Sequence, residues 1–210
     1  MAAFATGNAT KMRAMADLAE PGSAAHAYAI HQQAVAATQQ AAGVPDEPQT
    51  MTTRDGGFEV CNMGEESVCG IYDGFQALPN GKLTSFMVDG KPIDSRLLPS
   101  GERAPVRLGA VEVRVVSAYK TIQSESLFVT LEVRNGGTVG VSVAPFEATY
   151  VSAQGQQSKT NDVFGVTEVQ PGATGPLAVV FPDADPGGTL VLEVTTEDYD
   201  ELGTLRLPVA

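Results

Sequence analysis

The stretch SLFVTLEVRNGG, residues 126–137, decides the fold predicted for this chain. Its residues alternate in character, and one side of a two-residue period is wholly apolar, with Leu127, Val129, Leu131 and Val133. The other side is largely polar, with Thr130, Glu132 and Arg134. Successive side chains of a β-strand point to opposite faces, so this alternation is typical of a half-buried antiparallel strand. The closing Asn-Gly-Gly tolerates positive φ and predicts a turn.

This facing assignment has consequences for single residues. Leu131 should be buried, so its replacement by alanine is expected to open a cavity. Thr130 should face outward, so its replacement is expected to cost little. Phe128 is the one large apolar residue on the outward side, and we expect residues 55–100 to cover it.

The same alternation recurs from residue 104 to the end of the chain. Further strands are predicted within residues 106–118, 139–143, 146–151, 163–169, 177–181, 190–194 and 205–209. Glycine and proline residues lie between these segments, and no stretch with helical periodicity occurs among them. Short strands at close spacing favour an antiparallel β-sandwich over residues 104–210.

Residues 51–103 are predicted to form a β-hairpin region that leads into the sandwich. The dipeptide Asp89-Gly90 separates the alternating run of residues 82–88 from the residues that follow it. A two-residue hairpin turn needs positive φ at both positions, which Asp-Gly tolerates. Just upstream, residues 44–53 contain two prolines among polar side chains and are interpreted as a linker.

Residues 1–50 differ from the rest, because they are rich in Ala and Gln and hold both histidines. A first short helix is predicted to end before Pro21, and a second to run from a Ser23 cap to Gly43. Its apolar stripe consists mostly of small side chains, so this helix is marginal alone.

We predict that the helical segment docks on another chain or on a platform. The predicted docking face consists of Met12, Met15, Leu18, Tyr28 and Val35. The alternative is a spacer or a partly frayed stalk.

The composition limits the classes of partner. The chain has 210 residues, 43% of them apolar, which is enough for a folded core. Lys and Arg total 13 against 25 Asp and Glu, for a net charge of -12, which disfavours nucleic acid and anionic membranes. No apolar run is long enough for membrane insertion, and we expect no signal peptide because no basic segment precedes an apolar core near Met1.

The two cysteines, Cys61 and Cys69, flank a short polar loop. That spacing fits a disulfide that closes a hairpin in an oxidising compartment. The alternative is a pair of reduced, half-buried thiols. A zinc site is not expected, because no second cysteine or histidine pair lies nearby.

The sequence predicts no catalytic residue, no metal site and no cofactor. His26 and His31 lie outside the β region, and a separation of five residues does not place them on one helical face. Acidic residues cluster near the last strands, at Glu193, Glu197, Asp198, Asp200 and Glu201. A glycosidase needs two carboxyls across a cleft lined with aromatic side chains, and the chain has no Trp, so we predict a solvated acidic rim.

Three segments resemble a known kind of domain: LFVTLEVRNGG at residues 127–137, VQPGATGPLAVVFP at 169–182 and GTLVLEV at 188–194. Together they are similar to immunoglobulin-like domains of uncharacterised actinobacterial surface proteins and lipoproteins. The resemblance covers about residues 75–210. It implies an immunoglobulin-like sandwich that sits on a surface, and it brings no active site.

These observations favour a non-enzymatic structural or interaction module displayed on a surface. One form would be a virion component, such as a phage decoration or tail-associated protein. The other would be the ectodomain of an anchored actinobacterial surface protein or lipoprotein. In either form the predicted partner is a protein bound through the N-terminal helices, in an oligomer or a particle lattice. A carboxylate-dependent hydrolase is the remaining alternative.

Overall fold

The structure is a computed structural model that describes residues 9–45, 48–63, 68–143 and 147–210. It begins with two helices, α1 (Ala9–Leu18) and α2 (Ala24–Ala41). The strands that follow are β1 (Gln49–Arg54), β2 (Gly57–Asn62), β3 (Cys69–Ala77), β4 (Leu83–Val88) and β5 (Lys91–Pro92). A short 3-10 helix, Asp94–Arg96, leads to the remaining strands.

The later strands begin with β6 (Val106–Leu108), β7 (Val111–Lys120), β8 (Leu127–Asn135), β9 (Val141–Ser142), β10 (Thr149–Val151) and β11 (Gln157–Lys159). They end with β12 (Asp162–Gly165), β13 (Glu168–Val169), β14 (Thr174–Phe181), β15 (Gly188–Thr196) and β16 (Glu201–Val209).

The first five strands form one antiparallel sheet in chain order, β1-β2-β3-β4-β5, called the N-terminal sheet below. Asp89 and Gly90 join β4 to β5 and have φ values of 49° and 70°. The hairpin turn predicted at this dipeptide is therefore confirmed.

The prediction of a linker over residues 44–53 is wrong for residues 49–53. Strand β1 begins at Gln49 and pairs with β2 along its whole length. Its Thr-Met-Thr-Thr core has the β-branched residues that favour strands. The turn into β2 contains Asp55 and Gly56, with Gly56 at φ 76°, and this second Asp-Gly signal was present in the sequence.

The remaining strands form two antiparallel sheets. One has the order β12-β14-β8-β7-β6, and the other has the order β11-β10-β15-β9-β13 with β16 beside β15. The series β7-β8-β14-β12 follows the A-B-E-D order of immunoglobulin-like domains, and β10-β15-β16 follows their C-F-G order. The chain is a mostly β protein with an immunoglobulin-like antiparallel sandwich behind an N-terminal helical segment, as predicted.

The sandwich core is built from the alternating strands. The inward residues predicted on β8 are each at most 1% exposed: Leu127, Val129, Leu131 and Val133. They share one apolar cluster with side chains of the facing sheet, such as Leu190, Leu192 and Val194. Each such buried side chain stabilises the fold by roughly 1.5–3 kcal/mol before entropy is subtracted.

Helix α2 covers the outer face of the sheet that contains β8, where it contacts β7, β8, β12 and β14. It also contacts β4 of the N-terminal sheet. Its buried face includes small side chains, Ala25, Ala27 and Ala29, which let the helix approach the sheets closely. The predicted cap is confirmed, because the Ser23 side chain accepts a hydrogen bond from the His26 amide. The platform on which the helix docks is this chain itself.

The outward side of β8 differs from the prediction. Thr130 is only 1% exposed, and its Oγ1 lies 2.6 Å from Ser117 Oγ. A β-bulge between Val115 and Ser117 shifts the register so that Ser117 lies opposite Thr130, and α2 covers this region. Phe128 is half-buried and stacks on Phe164 of β12, with 6.5 Å between ring centroids.

Candidate functional site

A cleft of about 280 Å³ lies where α2, the N-terminal sheet and the sandwich meet. The two helices contribute Met15, Tyr28, Gln32, Val35, Ala36 and Gln39. The N-terminal sheet contributes Gln49, Val60, Asn62, Gly70, Tyr72 and Val88. The end of β7 and the loop after it contribute Tyr119, Ile122 and Gln123.

Strand register places the sheet residues on one face. Residues directly opposite each other in an antiparallel pair point to the same side. Gln49 lies opposite Asn62, and Val60 lies opposite Gly70, so all four face α2. A Cβ at Gly70 would lie 3.3 Å from Gln123 Nε2, so glycine keeps this part of the cleft open.

Tyrosine side chains close the inner end of the cleft. The hydroxyl oxygens of Tyr28 and Tyr72 are 3.3 Å apart, and the edge of the Tyr28 ring meets Tyr119 with 5.4 Å between centroids. Burial raises the pKa of Tyr28, Tyr72 and Tyr119. These phenols therefore stay protonated near neutral pH and act as hydrogen-bonding groups rather than as acids or bases.

Carboxamides supply the other polar groups of the cleft. Gln32 hydrogen-bonds the Tyr28 hydroxyl, and Gln123 Nε2 donates to the Cys69 carbonyl over 2.8 Å. Gln49 Oε1 is buried without a hydrogen-bond partner among the described residues. A buried acceptor of this kind costs free energy until a donor reaches it.

The lining carries no formal charge, although the chain as a whole has a net charge of -12. Aliphatic groups such as Val60, Val88 and Ile122 alternate with the carboxamides and phenols. The cleft therefore suits an uncharged ligand that presents N–H or O–H donors, carbonyl acceptors and a small apolar side chain.

Cys61 and Cys69 form a disulfide, with 2.06 Å between the sulfur atoms. They lie opposite each other in β2 and β3, on the side of the sheet that faces away from α2. Their neighbours Asn62 and Gly70 point into the cleft. The disulfide therefore braces the hairpin that forms one wall of the site.

The predicted docking face is divided by the structure. Met15 and Tyr28 are buried inside the chain, and Val35 is half-buried along the cleft. Leu18 is exposed, and the side chain of Met12 lies outside the described residues. The two buried residues cannot serve a second chain directly, because they already contact this one.

The histidines have packing and positioning roles. His26 Nδ1 lies 3.0 Å from Ser100 Oγ. His31 is buried beside Tyr119 and lies within hydrogen-bonding distance of Ser117. The acidic residues predicted to form a rim are all exposed: Glu193, Glu197, Asp198, Asp200 and Glu201.

A second, more open concavity of about 460 Å³ lies over the outer face of β7 and β8. Four of its charged side chains form ion pairs, Arg114 with Glu132 at 2.8 Å and Arg134 with Glu112 at 3.9 Å. Arg114 Nε has no partner among the described residues, but its side chain is 35% exposed. Partly exposed ion pairs of this kind contribute little free energy, so we favour the uncharged cleft as the site.

Sequence reasoning missed the carboxamides of the cleft, Gln32, Gln39, Gln49, Asn62 and Gln123. The glutamine-rich composition of residues 1–50 was a signal for the first three. Gln123 comes from the sandwich, and only the packing of α2 between the sheets brings it to the others.

No protein-family model and no curated protein matches this chain. Among solved structures, the chain is similar to the X-ray structure of Northeast Structural Genomics Consortium target SoR45. The two share 16% identity with a TM-score of 0.33, over 50% of this chain and 90% of the other. A likeness at this level supports no functional inference.

Within the described ranges, no group of three or more His, Cys, Asp or Glu side chains is arranged to hold a metal ion. In the same part of the chain, neither helix is both long and apolar enough to cross a membrane.

Proposed function

We propose that the protein is a non-enzymatic interaction module that binds an uncharged, extended segment of a partner protein in the cleft. The observation that carries this proposal is the lining, which combines carboxamides and protonated phenols with aliphatic groups and bears no charge. Carboxamides donate and accept hydrogen bonds at once, so they match the N–H and C=O groups of a peptide backbone. Gln49 Oε1 provides an acceptor for one of these N–H groups.

The size of the cleft fits this ligand class. About 280 Å³ is at the lower end of the range for ligand pockets, which suits a short stretch of peptide. Val60, Val88 and Ile122 would contact one apolar side chain of the bound segment. A charged segment would lose its hydration without gaining a partner charge, so it should bind more weakly.

We place this module on an external surface, as either a virion component or the ectodomain of an anchored surface protein. The disulfide between Cys61 and Cys69 favours the ectodomain, because disulfides persist in oxidising compartments. The acidic surface is compatible with both settings. The resemblance to domains of actinobacterial surface proteins also favours the ectodomain.

The test is selection of a phage-displayed library of random, unstructured peptides against the full chain, followed by affinity measurement with the enriched peptides. Tyrosine fluorescence is a direct signal, since the chain has no Trp and three of its five Tyr lie at the cleft. We expect uncharged peptides to be enriched and to perturb this fluorescence.

Two tryptophan variants make the test specific. Ala36 is half-buried in the cleft lining, so Ala36→Trp should fill the site and weaken binding about tenfold or more. Gln40→Trp places the same ring at an exposed position of the same helix and should bind as the wild type does. Equal affinities of the two variants, or no enrichment over an unrelated protein, would overturn the proposal.

A further inference from the structure

The two edges of the N-terminal sheet are protected very differently. At one edge, β5 has two residues, a lysine and a proline, and both are typical means of preventing edge pairing. At the other edge, β1 pairs with β2 along six residues and contains no proline. Within the described ranges, no strand pairs with the opposite side of β1. This side therefore presents backbone donors and acceptors to whatever adds there.

The charge of β1 limits which partner can approach it. Two copies of a chain with a net charge of -12 repel each other over most of their surfaces. Strand β1 has no acidic residue, and its single charged residue, Arg54, pairs with Glu59 at 2.6 Å. The strand itself therefore brings no acidic side chain of one copy against the other.

The sequence of β1 is also compatible with pairing to itself. In an antiparallel pair centred on Met51, the Met51 side chains of the two copies lie opposite each other. Thr50 then lies opposite Thr52, and Gln49 opposite Thr53. Thr–Thr pairs and apolar pairs stabilise antiparallel strands, and within residues 48–54 this register places no like charges opposite each other.

We propose that β1 pairs antiparallel with β1 of a second copy of this chain, joining two N-terminal sheets into one continuous sheet. Met51 shares the side of the sheet that faces α2, because it lies opposite Val60. A two-fold axis perpendicular to the sheet keeps this side the same in both copies, so both clefts lie on one face. The dimer would therefore be a bivalent receptor.

The first test is the molar mass of the full chain by size exclusion with light scattering, from micromolar to millimolar concentration. We expect a concentration-dependent dimer. Met51→Lys places two like charges opposite each other and should yield a monomer at all concentrations. Leu202→Lys makes a comparable change at an exposed site of the sandwich and should leave the dimer intact.

The second test detects the register even if the dimer is weak. Met51→Cys should form an intermolecular disulfide under mild oxidation, because directly opposed residues lie within the range that a disulfide spans. Thr53→Cys faces Gln49 of the other copy in this register and should cross-link much more slowly.

Each alternative outcome contradicts the proposal. A monomer at millimolar concentration with equal cross-linking of the two cysteine variants would overturn it. A dimer that survives Met51→Lys would place the interface elsewhere on the chain. Pairing of β1 with an added extended peptide in a monomeric protein would identify a different occupant. None of these results depends on whether the cleft binds a ligand.

Discussion

His31 of α2 and Ser117 of β7 are joined by a buried hydrogen bond, with 2.9 Å between Nδ1 and Oγ. Ser117 Oγ in turn lies 2.6 Å from Thr130 Oγ1 on β8. This chain of polar groups crosses from the helix to two strands of the sandwich. It fixes the position of α2 on a face where most other contacts are made by small apolar side chains.

Burial lowers the pKa of His31 to about 3, so the folded protein holds this histidine neutral. The unfolded chain protonates it near pH 6.5, so stability should be lost as the pH falls from about 6.5 toward about 3. In that window we expect His31 to contribute a loss of roughly 1 kcal/mol per pH unit. The free energy of unfolding, measured in urea, should decrease less between pH 7 and pH 5 for His31→Gln than for the wild type. Identical changes in both proteins would contradict this prediction.

Thr130 should matter for stability, contrary to the expectation from alternation alone. Thr130→Val keeps the volume but removes the hydroxyl that pairs with Ser117, so it should cost about 1–3 kcal/mol. Leu131→Ala should cost about 2–5 kcal/mol through the cavity it opens. Denaturant unfolding of Thr130→Val, Ser117→Ala and the double variant should show strong non-additivity. Independent, additive effects would mean that the two hydroxyls do not act together.

The disulfide between Cys61 and Cys69 closes a short loop, with a sequence separation of 8. In the chain-entropy description such a loop contributes about 2–3 kcal/mol. We expect a reductant to lower the melting temperature of the wild type and to leave Cys61→Ala/Cys69→Ala unchanged. Hydrogen exchange should increase in β2 and β3 but not in β8. An equal loss of protection in the N-terminal sheet and in β8 would show that the whole chain depends on this disulfide.

Glu125 connects the sandwich to the N-terminal sheet. Its carboxylate accepts hydrogen bonds from Arg96 at 3.0 Å and Lys91 at 2.9 Å, and these bonds lower its pKa to about 2. The stability it contributes is therefore present above about pH 4.5 and is lost as the pH falls toward about 2. Glu125→Gln should lower the melting temperature at pH 7 in low salt. The difference from the wild type should shrink at high salt, since these groups are partly exposed.

Local signals in the sequence were sufficient for the sandwich. The alternation of β8 identified the residues that face the sandwich core, and the Asp-Gly signal located the turn between β4 and β5. The Ser23 cap also placed the start of α2. Each of these features depends on residues that are close together in the chain, so periodicity and turn chemistry are enough to find them.

The site could not be found in the same way. The stripe of α2 is dominated by alanine, so it does not reveal whether the helix packs on its own chain or on another. The bulge between Val115 and Ser117 changes which side chains of β7 face the helix, and alternation alone cannot predict such a shift. The cleft depends on both features, because α2 and the end of β7 bring Gln32 and Gln123 together.

The position of α2 also determines when it can become stable. Residues 24–41 are synthesised before any of the strands, yet the helix packs against β12 and β14, which end at Gly165 and Phe181. A helix of this composition is marginal without its platform. Most of the sandwich must therefore be synthesised before α2 has a surface on which to pack. The order of folding should run against the order of synthesis, with attachment of the helix as a late step.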